Sequence, residues 1–155
     1  MDSQVVELLG RHCLADELLM AGLEVAYPAR DRGIDVIAYA DLDAQSGRFV
    51  ACPIRMKASS GRRFGVHQKY EKFPNLVLAF VWNLCSPDEA ETYALTYPEP
   101  VGVAKATGWT RTSSWIEKGG YSSKPSARLL ELLEPYRMTP GQWREKVIAL
   151  TSREG

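Results

Sequence analysis

The sequence predicts an α/β domain in which one helix precedes a small mixed sheet and further helices pack on that sheet. Three observations support this fold class. Apolar residues recur at helical spacing over residues 3–21, short apolar segments separated by turn residues occupy 23–84, and helix-start signals recur after residue 96. At this length we expect a single domain over residues 1–155.

The N-terminal half is predicted to hold a helix that ends at Gly22, followed by three short strands. The helix covers residues 3–21 and the strands cover 23–27, 34–40 and 49–57. The second and third strands are separated only by a turn over residues 41–48, so we expect them to be hairpin neighbours.

The next strand, over residues 76–84, is apolar at nearly every position and is predicted to lie inside the sheet, covered on both faces. Residues 91–97 predict a further strand. Three helices are then expected, two from capping-box spacing and one from leucine spacing. They cover residues 96–108, 139–150 and 125–136, and they leave residues 109–124 as a long loop rich in aromatic side chains.

Composition excludes several classes of protein. Nineteen basic and nineteen acidic residues cancel to a net charge of zero, so a nucleic acid or an anionic membrane would have to be held by a local patch. Three widely spaced cysteines argue against a disulfide scaffold or a zinc ribbon. The acidic N-terminus lacks a signal-type apolar core and no apolar run is long enough to span a bilayer, so we expect a cytoplasmic protein without a membrane partner.

Charged residues mark one end of the predicted hairpin. Asp35 enters one apolar strand and Lys57 closes the next. Because side chains alternate along a strand, Arg55 and Lys57 share one face, while Ile54 and Met56 share the other and are expected in the core. Ionisable groups at the ends of buried strands cost free energy unless they are paired or used. The pattern leaves two interpretations open, a structural ion pair and a functional site.

The order of these elements resembles the PD-(D/E)XK nuclease superfamily, also called restriction endonuclease-like, over about half of the chain. The resemblance rests on Gly33-Ile34-Asp35 and Ile54-Arg55-Met56-Lys57-Ala58-Ser59, preceded by the leucine-rich helix. It implies a restriction endonuclease-like core over residues 5–84, made of a helix, a small mixed sheet and flanking helices. Residues 85–155 would then be a helical C-terminal extension that also carries a strand and the aromatic loop.

In that superfamily an Asp and a second acid two residues before the Lys bind Mg²⁺, often with a Glu from the first helix, and the Lys supports the attacking water. The resemblance implies Asp35 as a metal ligand and Lys57 as a catalytic residue. Arg55 stands in the position of the second acid, and the helical Glu position falls near Arg11, with Glu7 one turn earlier.

Two versions of the site follow from this departure. In an active version, Glu7 or a backbone carbonyl joins Asp35 at a Mg²⁺ cofactor, Lys57 supports the attacking water and Arg55 clamps a phosphate oxygen. In a degenerate version, Glu7 simply pairs with Arg11, and the pocket keeps its affinity for phosphate without cleaving and needs no cofactor.

A basic strip over residues 57–72 favours DNA as the partner, because clustered cations bind backbone phosphates. Its alternative is a solvated surface. The expected contact residues are Arg11, Arg62, Arg63, His67 and Lys69. In the aromatic loop, Trp109 and Trp115 are expected to pin the loop to the core in preference to stacking on bases.

The sequence therefore predicts a nuclease-fold protein that binds or cleaves the DNA phosphodiester backbone, as a Mg²⁺-dependent deoxyribonuclease if it is active. The competing hypothesis is a non-enzymatic interaction or structural protein that keeps the fold. The sequence is also compatible with a homodimer, held by edge pairing or by exposed aromatic side chains.

Overall fold

Seven strands form two sheets in the computed structural model, which describes residues 1–30, 32–43 and 48–152. The strands are β1 (Glu24–Ala26), β2 (Val36–Asp43), β3 (Arg48–Ala58), β4 (Phe64–His67), β5 (Val77–Trp82), β6 (Glu91–Thr96) and β7 (Gly120–Ser123). The main sheet has the order β1-β2-β3-β5-β6, and β4 pairs with β7 in a separate two-stranded sheet. Neighbours in the main sheet are antiparallel except for β3 and β5, which are parallel, so the sheet is mixed as predicted.

Five α-helices accompany the sheets in the described part of the chain. They are α1 (Ser3–Met20), α2 (Glu99–Ala106), α3 (Ser113–Lys118), α4 (Ala127–Leu133) and α5 (Pro140–Ser152). The Asp2 side chain caps the start of α1, and Gly22 adopts a left-handed conformation just after its end, as the sequence predicts for a helix stop. None of the described helices combines the length and the apolar character needed to cross a bilayer.

Helices cover both faces of the main sheet. On one face, α1 and α5 bury Leu14, Leu18 and Trp143 against β3. On the other face, α4 and the small sheet bring Leu129 and Phe64 against β5 and β6. Every residue of β5 is buried, which confirms the prediction of an interior strand covered on both sides. An apolar side chain buried to this extent contributes roughly 1.5–3 kcal/mol.

The hairpin is longer than predicted. β2 begins at Val36, one residue after Asp35, and continues to Asp43, while β3 already begins at Arg48. Pairing extends through Asp41 and Phe49 with an irregularity next to them, so the predicted turn over residues 41–48 is too long. Backbone hydrogen bonds between β2 and β3 continue beyond the residues that show the apolar pattern of the two strands. Residues 44–47 of that turn lie outside the described residues.

The segment predicted as a long aromatic loop contains regular structure. Thr112 caps α3 by accepting the N–H of Trp115 at 3.2 Å, and β7 pairs with β4, a strand that the sequence analysis did not predict. The prediction that the tryptophans pin this segment agrees with the structure. Trp115 is buried, and the Trp109 ring lies 5.7 Å from that of Phe64. The segment is ordered by pairing and packing with distant residues, which local spacing does not encode.

Candidate functional site

Asp35 lies immediately before β2, where its side chain is hydrogen-bonded to the backbone of β3. The Asp35 N–H donates to the carbonyl oxygen of Ile54 at 2.9 Å, and its Oδ2 accepts the N–H of Met56 at 2.8 Å. The Asp35 carboxylate therefore accepts the Met56 N–H, which a backbone carbonyl of β2 would accept if that strand began earlier. Within the described residues, no ion pair joins Asp35 to Arg55 or to Lys57.

The predicted alternation along β3 is present. Cys52, Ile54 and Met56 are buried, whereas Pro53, Arg55 and Lys57 are only partly buried on the opposite face. Strand pairing sets Arg55 and Lys57 beside Leu78 and Phe80 of β5. The two cations therefore stand on the face that carries the small β4–β7 sheet.

Three cations surround one tyrosine on that face. The ring of Tyr70 has the Lys69 Nζ at 5.2 Å, the Lys57 Nζ at 5.4 Å and the Arg55 Cζ at 5.9 Å from its centroid. Each contact is favourable, because the ring presents a partly negative face to the cation. The cations repel one another, however, and in the described chain none of them has a carboxylate partner within ion-pair distance.

Lys57 is the most perturbed member of this cluster. Burial, followed by the charges of Arg55 and Lys69, lowers the pKa of Lys57 from 10.5 to about 8. Both causes destabilise the charged form of Lys57, and a bound anion would stabilise it again. The arrangement is chemically suited to hold a phosphate or a similar anion.

Three clefts meet around these cations. The first, called here the aromatic cleft, has a volume of about 540 Å³ and is lined by Arg55, Lys69 and Tyr70 among others. The second, the lysine cleft, has about 340 Å³ and is lined by Lys57, Lys69 and Lys118 among others. The third has about 270 Å³ and is lined by Lys57 and Arg63 among others. Because Lys69 lines the first two and Lys57 the last two, the clefts adjoin, and together we call them the cationic groove.

The small sheet holds one wall of the groove in place. The backbone N–H of Gln68 donates to Gly119 at 2.7 Å, and Arg63 Nε donates to the hydroxyl of Ser122 at 2.8 Å. The His67 side chain accepts the N–H of Lys69 at 3.0 Å and so caps the short 3₁₀ helix over Gln68–Lys72. Segments far apart in sequence therefore fix the positions of Lys69 and Tyr70.

The acidic residues predicted for catalysis lie elsewhere around β3. Asp35 lines a separate cleft of about 300 Å³ together with Ser3, Glu7 and Arg55. Glu7 pairs with Arg11 at 3.4 Å, which is the structural alternative that the helical spacing left open. Arg55 lines both this cleft and the aromatic cleft, while Lys57 lines clefts on the side of the small sheet.

This set of side chains does not fit Mg²⁺. Mg²⁺ is usually held by one or two carboxylates, with water and substrate phosphates completing its roughly six oxygen ligands, and Glu7 and Asp35 are the two carboxylates among the described residues that line this cleft. The carboxylate of Asp35 is already engaged by a backbone N–H, and the guanidinium of Arg55 shares its cleft. A fixed positive charge at that place opposes binding of a second cation.

The predicted nucleic-acid contacts divide into two groups. Arg63, His67 and Lys69 line the cationic groove. Arg62 instead pairs with Glu91 at 3.2 Å, outside these three clefts, and Arg11 lies 5.8 Å from the ring of Tyr27. The strip therefore splits just before β4, where Arg62 pairs with Glu91 of β6 and Arg63 hydrogen-bonds to Ser122 of β7.

Lys72 belongs to the predicted basic strip and also lines the groove, whereas sequence reasoning missed Arg32, Tyr70 and Phe73. The interleaving of lysines with aromatics in Lys69-Tyr70-Glu71-Lys72-Phe73 is the signal that indicates most of them. Lys118 lies in the segment over residues 109–124 where the sequence mixes cations with aromatics, and the pairing of β7 with β4 brings α3 to the groove.

Comparison with known protein families, with curated proteins and with solved structures finds no match to this chain. The assignment to the PD-(D/E)XK superfamily therefore stays a prediction that depends on residues and topology.

Proposed function

We propose that this protein binds the phosphodiester backbone of DNA in its cationic groove, as a restriction endonuclease-like protein whose metal-dependent cleavage has been lost. The observation that carries this proposal is the cluster of Arg55, Lys57 and Lys69 around Tyr70. Arg55 and Lys57 are partly buried, Lys69 is exposed, and none of the three has a carboxylate partner among the described residues, so a bound anion would relieve their mutual repulsion.

Topology supports the family part of the proposal. The predicted order of helix, strand, strand with Asp, and hairpin strand ending in Lys resembles that of α1, β1, β2 and β3, with Asp35 one residue before β2 and Lys57 one residue before the end of β3. The next long strand, β5, pairs parallel with β3, which requires a crossover that residues 59–76 provide. Asp35 and Lys57 lie near the same end of the hairpin, because β2 and β3 are antiparallel.

Loss of cleavage is supported by the positions of the acidic residues. Asp35 is held by Met56, Glu7 pairs with Arg11, and Arg55 replaces the second acid. Asp35 and Lys57 also line different clefts. A site that activates water with a metal ion needs the carboxylates to converge on one point, which these contacts oppose.

The test of binding is fluorescence anisotropy with a labelled blunt DNA duplex, measured at a series of salt concentrations. We expect affinity to fall steeply with salt, because bound phosphates release counterions. Lys69→Ala should weaken binding and reduce the slope of log K against log salt by about 1. Arg128→Ala is the matched control, since Arg128 is an exposed cation on α4 outside the groove and should leave the slope unchanged.

The test of cleavage is incubation with supercoiled plasmid in the presence of Mg²⁺ or Mn²⁺. We expect no nicking above that of an Asp35→Ala, Lys57→Ala double variant. Nicking that disappears in this variant would overturn the loss of cleavage and identify an active nuclease. If the protein neither binds nor cuts DNA, the competing hypothesis of a non-enzymatic interaction protein gains support instead.

A further inference from the structure

We infer that the aromatic cleft takes an unpaired nucleotide of a DNA strand, with the base against the apolar lining and the phosphate on the surrounding cations. This inference depends on the proposed function, because it specifies which form of DNA the groove prefers.

The cleft combines apolar surface with positive charge. Its apolar lining comes from Ile34, Pro53, Tyr70, Phe73, Pro74 and Leu76. Its charged lining comes from Arg32, Arg55, Lys69 and Lys72, and no carboxylate is among the described residues that line it. A ligand that satisfies both kinds of surface needs a flat apolar part and an attached anion, which is the chemistry of a nucleotide. The volume of about 540 Å³ lies within the range of small-ligand sites, roughly 300–1,000 Å³.

Phe73 is the residue that points to base stacking. Its side chain is 55% exposed, although it belongs to a segment held by backbone hydrogen bonds. The Phe73 N–H donates to Tyr70 at 3.0 Å, and its carbonyl oxygen accepts the N–H of Leu76 at 3.1 Å. The ring is therefore presented to solvent by an ordered turn, with Lys72 beside it in sequence and in the lining of the same cleft. Aromatic rings next to cations are the usual platforms for unpaired bases.

The position of the cleft favours a nucleotide that is part of a strand. Lys69 lines both the aromatic cleft and the lysine cleft, so the apolar pocket opens beside the proposed phosphate-binding surface. In a duplex the bases are stacked on one another and cannot fill such a pocket, whereas a base at a single-stranded end can leave the stack. The lysine cleft and the third cleft would then hold the duplex backbone while the aromatic cleft takes the first unpaired base.

The test compares a blunt DNA duplex with the same duplex carrying a short single-stranded overhang that contains 2-aminopurine. We expect the overhang to tighten binding by about tenfold, the scale of one base stacked on an aromatic side chain, and 2-aminopurine fluorescence to be quenched on binding. Phe73→Ala should remove both the preference for the overhang over the blunt duplex and the quenching. Phe73→Trp should retain them.

Phe49→Ala is the matched control, because Phe49 is also an exposed phenylalanine, 63% exposed, but lies at the start of β3 away from the cleft. Equal affinity for blunt and overhang DNA, or a preference that survives Phe73→Ala, would overturn the inference and leave the proposed function intact. Failure to bind either DNA would overturn both. Free deoxynucleoside monophosphate competing as strongly as the overhang would overturn the assignment to a strand.

Discussion

Replacing Lys57 by methionine should stabilise the folded protein and weaken its binding to DNA. The Lys57 ammonium is partly buried on β3 beside Arg55 and Lys69, and the charge is unfavourable in the free protein. A binding site commonly keeps such a cost because the ligand relieves it. Methionine retains the unbranched apolar chain of lysine and removes only the charged end.

The size of the effect follows from the pKa of Lys57, which burial and the two neighbouring cations lower from 10.5 to about 8. A change of that size corresponds to roughly 3 kcal/mol of unfavourable charging in the folded state at neutral pH. Loss of the contact between the ammonium and the Tyr70 ring offsets about 1 kcal/mol. We therefore expect Lys57→Met to raise the free energy of unfolding by about 2 kcal/mol at pH 7.

The sign of the pH dependence can be checked separately. Between pH 8 and 10.5 the unfolded chain still holds the proton that folded Lys57 has released, so the stability of the unmodified protein rises with pH in this window. Below pH 8 both states carry the proton and the penalty is present in full. Most of the advantage of the methionine variant should therefore disappear by about pH 10.

The assay is urea unfolding followed by tryptophan fluorescence at pH 7, 8, 9 and 10, with Lys105→Met as the control. Lys105 is an exposed lysine on α2, and its replacement should change stability by less than about 0.5 kcal/mol. The same Lys57→Met protein should bind duplex DNA several-fold more weakly at pH 7. A variant that is less stable than the unmodified protein at pH 7, by an amount that does not change with pH, would refute the reasoning.

Two further predictions concern the packing of α1 against the main sheet and the wall of the groove. Glu17 accepts hydrogen bonds from Thr92 at 2.6 Å and from Trp143 at 3.4 Å, so Glu17→Ala should cost about 2 kcal/mol in urea unfolding by leaving these buried donors unpaired. Burial raises the pKa of Glu17 above 4.5, although these hydrogen bonds act to lower it. The folded protein therefore keeps the proton to a higher pH than the unfolded chain, and the free energy of unfolding should fall as the pH rises above 4.5. Glu17→Gln should not show this fall. An unchanged pH profile in Glu17→Gln would contradict the assignment. Gly119→Ala should lower the free energy of unfolding by about 1–2 kcal/mol and weaken DNA binding. Gly119 has a φ of 78°, and an added Cβ would lie 3.3 Å from His67. A melting temperature and a DNA affinity equal to those of the unmodified protein would argue against this prediction.

Much of the core could be predicted from local patterns. The α1 spacing, the alternation along β3 and the apolar run of β5 each follow from a periodicity of two or about 3.6 residues, and the structure contains all three. Hairpin pairing of β2 with β3 also follows, because a short connection permits only antiparallel neighbours.

The candidate site was predictable only in part. Asp35, Arg55 and Lys57 were identified from their places at the ends of strands, yet the hydrogen bond from Met56 to Asp35 depends on how early β2 begins. The ring of Tyr70 gave no local sign that three cations would surround it. That cluster requires the 3₁₀ helix after β4 to fold back over β3, a contact between residues that are distant in sequence.

By itself, the sequence determined the order of the strands that form the main sheet, the burial of β5 and the charged face of β3, because each depends on residues within a few positions of one another. The tertiary structure alone decided which charges meet. The pairing of β4 with β7 makes the segment predicted as a loop into one wall of the groove. The ion pair of Arg62 with Glu91 places Arg62, a predicted nucleic-acid contact, outside the groove. Long-range pairing and packing select these neighbours from many that local propensity allows, so charge proximity emerges only when the chain is folded.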